Sequence, residues 1–369
     1  MAGVWAVADS LVPLYPLYAL LFADTGLSEA EISALFAVWS LTGFLAEVPT
    51  GALADRWSRR GALVLASLLE AAGFVLWTAL PSVASFAVGF VLWGIGGALA
   101  SGSAEALIYE GLADPSTYTR VSGRLDAARL VTQVPTAFAA TALFALGGYA
   151  LVGWASVATC LVAAALAARF PEEPRRPDGA AAESVRSFAG TLWSGAVEAL
   201  RRPGLRVVVL AAAVLGGLDG VEEYWPLMAG DWGVPATAVP VATLAIPLAG
   251  AVGAALADRA GRLPARRLLA LLVLAAAALW SAALWAHPAA LAAVAVFYGL
   301  YCAVLVVAEA RLQHRIRGRN RATITSVAGL GVELASLPVF AVWALGGAGA
   351  IALLVLAVVP VVALGLRVR

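Results

Sequence analysis

The pentapeptide Ala-Leu-Ala-Asp-Arg occurs twice in the chain, at Ala52–Arg56 and at Ala255–Arg259, and each copy follows a long apolar stretch. The copies are 203 residues apart in a chain of 369 residues. An internal repeat of such long period in an apolar chain is typical of membrane proteins that are built from two related halves. The repeat therefore predicts two similar helical bundles in one chain.

The composition places the chain in a membrane. Hydrophobic residues make up 62% of it, charged residues 13%, and the mean hydropathy is +0.90. A soluble domain of this length could not bury so much apolar surface, so lipid must cover it. The net charge of +1 gives no reason to expect a nucleic-acid partner. Cys160 and Cys302 lie in apolar stretches and are expected to be buried small side chains, not a disulfide or a metal site.

Twelve apolar stretches are long enough to be membrane-spanning helices, numbered here as segments 1 to 12. They are 4–23, 30–54, 61–80, 84–111, 119–146, 149–169, 205–228, 236–256, 266–286, 289–311, 321–346 and 348–366. The polar stretch 170–204 divides the chain into an N-terminal half, 1–169, and a C-terminal half, 205–369. Within it, Phe188, Leu192, Trp193, Val197 and Leu200 recur at helical spacing, which predicts an amphipathic helix on the membrane surface. A disordered linker is the alternative.

The basic residues predict the orientation, because cytoplasmic loops are enriched in them. All 24 are arginines. Apart from Arg124 and Arg129, which lie inside segment 5, they fall in or at the edges of alternate loops, in the linker and at the C-terminus. The opposite loops, 24–29, 81–83, 147–148, 229–235, 287–288 and 347, contain none. We therefore expect a multi-pass protein of the inner (plasma) membrane with both termini in the cytoplasm.

The two copies of the pentapeptide extend to Gly51-Ala-Leu-Ala-Asp-Arg-Trp-Ser-Arg-Arg60 and Ala254-Ala-Leu-Ala-Asp-Arg-Ala-Gly-Arg262. Both resemble the loop signature G-x-L-x-D-R-x-G-R-R of the major facilitator superfamily, departing from it at Ser58 and Ala254. The resemblance implies a fold of twelve helices in two pseudo-symmetric halves. It also implies a gate that latches the cytoplasmic side, formed by Gly51, Asp55, Arg56, Arg59, Arg60, Asp258, Arg259 and Arg262. The alternative is that the arginines only fix the topology.

Ionisable side chains inside the predicted segments are candidates for function, because a charge at the bilayer centre costs at least about 2.5–3.5 kcal/mol. Acids outnumber bases among them, as a site for protons or cations requires. Glu105 and Glu309 are related by an offset of 204 residues, and so are Arg129 and Glu333. In the fold that the sequence resembles, segments 1, 4, 7 and 10 line a central cavity. The proton- or substrate-binding candidates are Asp9, Glu47, Glu105, Arg129, Asp219, Glu222, Glu309 and Glu333.

Each of these side chains has a structural alternative, namely a satisfied ion pair or a charged group that reaches water from the edge of the membrane. A pair of Arg129 with Glu47 or Glu105 would be of this kind. For Glu70, Glu110 and Asp126 the structural interpretation is favoured. Tyr15, Tyr18 and Tyr224 are further candidates, since aromatic faces beside carboxylates suit a lipophilic cation. Aromatic residues at the membrane interface are the alternative, above all for Trp225 and Trp232.

These observations favour a secondary transporter that works by alternating access. The stretches Glu47-Val-Pro-Thr-Gly51 and Ser101–Glu110 resemble bacterial efflux-type members of the superfamily, although segment 5 lacks their Gly-x-x-x-Gly-Pro signature. We expect a monomeric antiporter that exports a hydrophobic or cationic small molecule in exchange for protons, surrounded by lipid and without a cofactor. Proton-coupled uptake or facilitated transport of a small polar metabolite is the alternative.

Other classes of function find less support in the sequence. The only two histidines, His287 and His314, are predicted to lie on opposite sides of the membrane, and no Ser/His/Asp set or metal-ligand spacing is present. An enzyme is therefore not expected. A phosphate-binding Gly-x-x-x-x-Gly-Lys loop, which ATP-driven transport would need, is also absent from the sequence. A non-transporting sensor of the same fold stays open.

Overall fold

The computed structural model describes residues 1–112, 114–172, 203–315 and 321–367, with the isolated positions 190, 197 and 201. In this part of the chain the regular structure is helical and contains no strand. The prediction of an all-α membrane protein is confirmed, since eight helices are long and apolar enough to cross a bilayer. The predicted amphipathic helix with Phe188, Leu192, Trp193 and Leu200 lies outside the described residues, except for position 197.

The described residues form a succession of α-helices. They are Ala2–Ser10, Tyr18–Asp24, Glu29–Arg56, Arg59–Ala79, Val83–Glu110, Tyr118–Ala167, Pro203–Gly217, Trp225–Asp231, Val239–Thr243, Ala245–Ala255, Ala257–Gly261, Ala265–Trp285, Leu291–Arg315 and Arg321–Arg367. Three 3-10 helices complete them: Pro115–Thr117, Leu218–Tyr224 and Pro288–Ala290.

Two of the eight long helices each contain two membrane segments. The helices Tyr118–Ala167 and Arg321–Arg367 turn at a Gly-Gly pair, and the second members, Gly148 and Gly347, have φ of 58° and 56°. This left-handed conformation favours glycine, because a Cβ atom would be strained there. With segment 1, which is broken, and segment 8, which is short, the described residues form the twelve predicted segments.

Segment 1 is not the single helix that its apolar run predicts. It is helical over Ala2–Ser10 and again over Tyr18–Asp24, and the stretch between them contains Pro13 and Pro16. Proline lacks the N–H that a helix needs and fixes φ, so two of them close together end the helix. The backbone N–H of Leu14 donates to Ser156 Oγ at 2.9 Å. A buried partner for this N–H matters because lipid cannot provide one.

Segment 7 is interrupted in the corresponding place. The α-helix Pro203–Gly217 passes into the 3-10 helix Leu218–Tyr224 before Trp225–Asp231 resumes the α-helix. The two breaks share a sequence pattern, Asp-x6-Pro-Leu-x-Ala, which begins at Asp9 in segment 1 and at Asp219 in segment 7. In transporters built from repeats, interrupted helices commonly provide the binding residues.

The helices form two compact units. The first comprises Met1–Leu27, Val38–Phe188 and Ala236–Val241, and the second comprises Ser28–Ala37, Ala189–Pro235 and Ala242–Arg369. A core of the first unit contains Trp5, Ala6, Leu63, Ala104, Leu107, Leu125, Ala167 and Phe170. A core of the second contains Leu205, Val208, Val209, Ala212, Leu312 and Ala328. Each unit therefore buries its own apolar side chains.

Candidate functional site

A polar cavity of about 340 Å³ lies in the first unit, between segments 1, 4 and 5. Segment 1 contributes residues from its first helix, before the proline break, and segments 4 and 5 contribute residues near the connection between them. The cavity is lined by Trp5, Asp9, Gly97, Ala100, Ser101, Ala104, Glu105, Ile108, Tyr118, Ser122, Leu125, Asp126 and Arg129. Its volume is at the lower end of the range of small-molecule sites.

Negative charge predominates in this cavity, because three carboxylates face a single guanidinium. Arg129 Nη1 lies 3.5 Å from Asp126 Oδ1, and both side chains are largely exposed. Arg129 also attracts the Asp9 carboxylate and lies above the Trp5 ring, with Cζ 5.9 Å from the ring centroid. Glu105 is exposed and forms no salt bridge within the described residues. Among the described residues Arg129 thus pairs with Asp126 and not with Glu105, which the structural alternative had offered as a partner.

Two aromatic side chains supply hydrogen-bond donors beside the carboxylates. Trp5 is buried with its edge against Phe170, at 5.8 Å between ring centroids, and its indole N–H has no hydrogen-bond partner within the described residues. Burial raises the pKa of the Tyr118 phenol, and the nearby Glu105 and Asp126 carboxylates raise it further. Tyr118 therefore stays protonated at neutral pH and can donate to a bound molecule.

A second group of carboxylates lies in the second unit, on the 3-10 helix of segment 7. Tyr298 of segment 10 donates through its hydroxyl to Asp219 Oδ1 at 2.9 Å, and Glu222 Oε2 lies 3.4 Å from the same hydroxyl. The neighbouring Tyr301 hydroxyl donates to the carbonyl oxygen of Leu215 at 2.6 Å. The Tyr298 hydroxyl thus contacts two carboxyl groups, and the Tyr301 hydroxyl bonds to the last turn of the helix Pro203–Gly217.

Tyr298 has room for this contact because the facing residue is a glycine. A Cβ atom added at Gly250 would lie 2.5 Å from Tyr298 Cε1 and 3.2 Å from Cys302 Sγ. Trp225 closes the other side, with its ring centroid 5.6 Å from that of Tyr298. Gly250 and Trp225 therefore fix the orientation of the ring that donates to Asp219.

Tyr298→Phe should cost more stability than Tyr301→Phe. Tyr298 donates to carboxylates, and hydrogen bonds to charged groups contribute about 1.5–3 kcal/mol, against about 0.5–1.5 kcal/mol for the neutral acceptor of Tyr301. Melting curves of both variants, measured in the same detergent as the parent, check this. Equal losses in the two variants would contradict it.

Comparison with known proteins identifies the family of the chain. The profile of the Major Facilitator Superfamily matches residues 2–338. The chain belongs to the Major Facilitator Superfamily. No curated protein sequence matches the chain significantly. The fold is shared with a D-xylose–proton symporter, at a TM-score of 0.69 and 17% identity over 93% of this chain and 87% of the other.

Two other solved structures have the same superfamily fold. A POT family transporter in complex with 5-aminolevulinic acid aligns with a TM-score of 0.73 and 11% identity, over 98% of this chain and 94% of the other. A bacterial homologue of the human lysosomal transporter Spinster, inward-facing and unoccupied, aligns with a TM-score of 0.69 and 17% identity, over 95% and 80%. Identities this low show the fold and no more. The chain is therefore a transporter by family.

The first superfamily loop, after segment 2, joins three parts of the first unit. Ser58 Oγ accepts from the backbone N–H of Gly61 at 2.8 Å, which caps the helix Arg59–Ala79. Glu172 accepts from the Ser58 hydroxyl and from the backbone N–H of Arg59, at 2.5 and 2.7 Å. The Arg59 guanidinium pairs with Glu110 at the end of segment 4. Serine at position 58, a departure from the superfamily signature, is thus a helix cap.

One further arginine of this loop contacts the end of segment 6. Arg60 Nη1 donates to the carbonyl oxygen of Phe170 at 3.3 Å, which joins the loop to the end of segment 6. Gly51 has open space around its Cα, and Arg56 is exposed. The Asp55 side chain lies outside the described part of the structure, so its role as a gate stays a prediction.

The second superfamily loop, after segment 8, is simpler. Asp258 Oδ2 and Arg262 Nη2 are 2.8 Å apart, on side chains that are 81% and 77% exposed. Such an exposed pair contributes little to stability. Arg259 is exposed and forms no ion pair within the described residues.

The other candidates are distributed between the two units. Tyr15 and Tyr18 lie in an aromatic cluster of the first unit, in which both rings contact Trp93 at 5.2 and 5.8 Å between centroids. Tyr224 is fully buried in the second unit, stacked on Trp343 at 4.1 Å. Its hydroxyl is 2.8 Å from Ser33 Oγ. These contacts are those of packed aromatic side chains.

Three further acids lie apart from the cavity. Glu309 is exposed on segment 10, near enough to Asp219 for the two charges to interact. Glu47 is half-buried on segment 2, and Glu333 is exposed on segment 11. The described residues contain no group of three or more His, Cys, Asp and Glu that could hold a metal ion. The sequence analysis did not identify Tyr298 as a residue of this site. It also missed the two broken helices, which the repeated pattern Asp-x6-Pro-Leu-x-Ala could have revealed.

Proposed function

We propose that this transporter exports a small hydrophobic or cationic molecule in exchange for protons, by alternating access. The observation that carries the proposal is the cavity of about 340 Å³ in which Asp9, Glu105 and Asp126 outnumber Arg129. An excess of carboxylates attracts a cation, and a carboxylate that releases the cation can hold a proton in its place. The superfamily fold supports transport, and the energy would come from the proton gradient without a cofactor.

A second candidate is the movement of a small polar metabolite in the same direction as the proton. Seven of the thirteen lining residues are polar or charged, among them Ser101 and Ser122, which favours a substrate that forms hydrogen bonds. A solved structure of the same fold is that of a D-xylose–proton symporter, which supports this candidate. The two candidates differ in the direction of substrate movement relative to the proton.

Proteoliposomes with an imposed pH gradient distinguish the candidates. Antiport moves the substrate toward the acidic compartment, and symport moves it away from the acidic compartment. The experiment uses a panel of labelled organic cations and of neutral polar compounds, with and without a proton ionophore. We expect cations to accumulate on the acidic side, and the ionophore to stop this. A transport rate that does not depend on the pH gradient would contradict proton coupling.

We also propose that Asp55 belongs to a gate that latches one side of the protein in one state. Support comes from the network of the same loop, in which Arg59 and Arg60 hold the ends of segments 4 and 6. Asp55→Asn should slow transport and leave the affinity for the substrate nearly unchanged, because Asp55 is not among the described residues that line the cavity. Transport at the parental rate would remove Asp55 from the mechanism.

The proposed orientation has both termini in the cytoplasm of a plasma membrane, with the protein as a monomer surrounded by lipid. Both native cysteines are buried, so single cysteines can be introduced without a large background. A cysteine at Ser82, between segments 3 and 4, should react with an impermeant thiol reagent added to intact cells. A cysteine at Ser116, between segments 4 and 5, should react only after permeabilisation. The reverse pattern would overturn the orientation.

A further inference from the structure

The second unit carries an apolar groove of about 660 Å³ between segments 8, 9 and 10, and a single charged side chain lies at it. Twelve of the thirteen lining residues are apolar, and the thirteenth is Arg259. The groove is lined by Ala249, Val252, Gly253, Leu256, Arg259, Ala260, Leu263, Leu271, Ala295, Val296, Gly299, Leu300 and Ala303. It shares no lining residue with the polar cavity of the first unit.

The groove is hollow because small residues bring two helices together. A Cβ atom added at Gly253 would collide with the carbonyl oxygen of Gly299, so segments 8 and 10 touch through their backbones. Ala249, Ala295 and Ala303 continue this surface without filling it. The larger side chains at its edges stay accessible, with Val252 and Val296 60% and 54% exposed. An apolar, accessible furrow of this kind fits a hydrocarbon chain.

The length of the groove agrees with that occupant. Its lining on segment 10 runs from Ala295 to Ala303, which is about 12 Å along a helix that rises 1.5 Å per residue. Segment 8 lines it from Ala249 to Leu256, and Arg259 follows one turn later on the helix Ala257–Gly261. The groove therefore has one charged end, where the chain leaves the membrane, and an apolar body that extends into it.

The charge at that end is available for an anion. Arg259 is exposed and forms no ion pair among the residues that the structure describes, whereas its neighbours Asp258 and Arg262 form a pair with each other. Arg266 and Arg267 add further positive charge at the start of the following helix, Ala265–Trp285. A guanidinium binds a phosphodiester through two parallel hydrogen bonds. In an anionic lipid no headgroup cation opposes this attraction, whereas the choline cation of a zwitterionic lipid does.

We propose that this groove binds one anionic phospholipid, with the headgroup phosphate on Arg259 and an acyl chain along segments 8 and 10. The site belongs to the second unit and shares no residue with the polar cavity in which we propose that the substrate binds. Its two parts recognise different features of the lipid, because the apolar body accepts any acyl chain and Arg259 selects the net negative charge. The preference for anionic over zwitterionic lipid should therefore depend on Arg259, and the total occupancy on the groove.

Native mass spectrometry of the full-length protein in detergent tests the site, with phosphatidylglycerol and phosphatidylcholine of identical acyl chains as the probes. Arg259→Gln should reduce the retention of phosphatidylglycerol about fivefold, as expected for one basic residue near a lipid headgroup, and that of phosphatidylcholine by clearly less. Arg267→Gln removes the same charge from the start of the helix Ala265–Trp285, outside the groove, and is the matched control. It should change the retention of neither lipid by that amount.

Ala295→Phe tests the apolar part, because it fills the groove without changing a charge. It should reduce the retention of both lipids alike. If Arg259→Gln and Arg267→Gln have equal effects, the attraction is a property of the loop charge and the proposal fails. It also fails if Ala295→Phe leaves the retention of both lipids unchanged. A parallel melting curve for each variant confirms that the compared proteins are folded.

Discussion

Glu105→Gln should reduce proton-driven transport by about a hundredfold, as the loss of a positioned proton-transfer group does in enzymes, and leave the protein folded. Glu105 is exposed in the polar cavity and has no salt bridge within the described residues, so glutamine leaves no cation unpaired. Exposed substitutions of this kind change stability by less than about 0.5 kcal/mol. Transport along a pH gradient and a melting curve, measured on the same preparation, check both parts.

Glu110→Gln is the matched control on the same helix. Glu110 pairs with Arg59 at the end of segment 4, so its replacement should affect the loop and not the coupling to protons. A Glu105→Gln variant that still transports with the parental pH profile would remove Glu105 from the mechanism. A variant that melts far below the parent would show instead that Glu105 neutralises a buried cation.

Gly253→Ala should destabilise the second unit by about 1–3 kcal/mol, the usual range for overpacking. The added methyl group meets the backbone carbonyl of Gly299, which cannot rotate away as a side chain would. The two helices must therefore separate, and the packing of segments 8 and 10 is lost along their contact. Thermal unfolding of the purified variant in the same detergent as the parent measures the effect.

Gly329→Ala provides the contrast for this prediction. Gly329 is also inside a helix of the second unit, but a Cβ atom added there has no neighbour within 4 Å. Alanine is favoured over glycine in helices by about 1 kcal/mol, so this variant should melt at or above the parental temperature. Equal melting temperatures for Gly253→Ala and Gly329→Ala would show that the close contact of the helices is not required.

The sequence predicted the helices well because lipid imposes a simple rule. Every membrane segment needs a long apolar run, and the connections near Gly148 and Gly347 interrupt those runs where the chain turns. The break in segment 1 was not predicted, since membrane helices often tolerate proline. Whether the freed N–H of Leu14 finds a partner depends on Ser156, which is 142 residues away in the sequence.

The site was predictable only in part, because some of its contacts join residues that are far apart in the sequence. An ionisable residue in an apolar segment, such as Asp9 or Glu105, is recognisable from sequence because its burial is costly. The structure brings these two residues and Arg129 to one cavity. The partner of Asp219 was not recognisable, since Tyr298 is an ordinary residue of an apolar helix and lies 79 positions away. Long-range contacts of this kind leave no periodic trace in the sequence.

The Gly-Gly turns restrict how the protein can be made. Two residues span at most about 7 Å even when fully extended, so the second helix of each pair must start beside the end of the first. Segments 5 and 6 therefore form a tight hairpin, and so do segments 11 and 12. We expect each pair to enter the membrane together. Lengthening the turn at Gly148 with a flexible insert would remove this restriction and allow the two helices to insert one after the other.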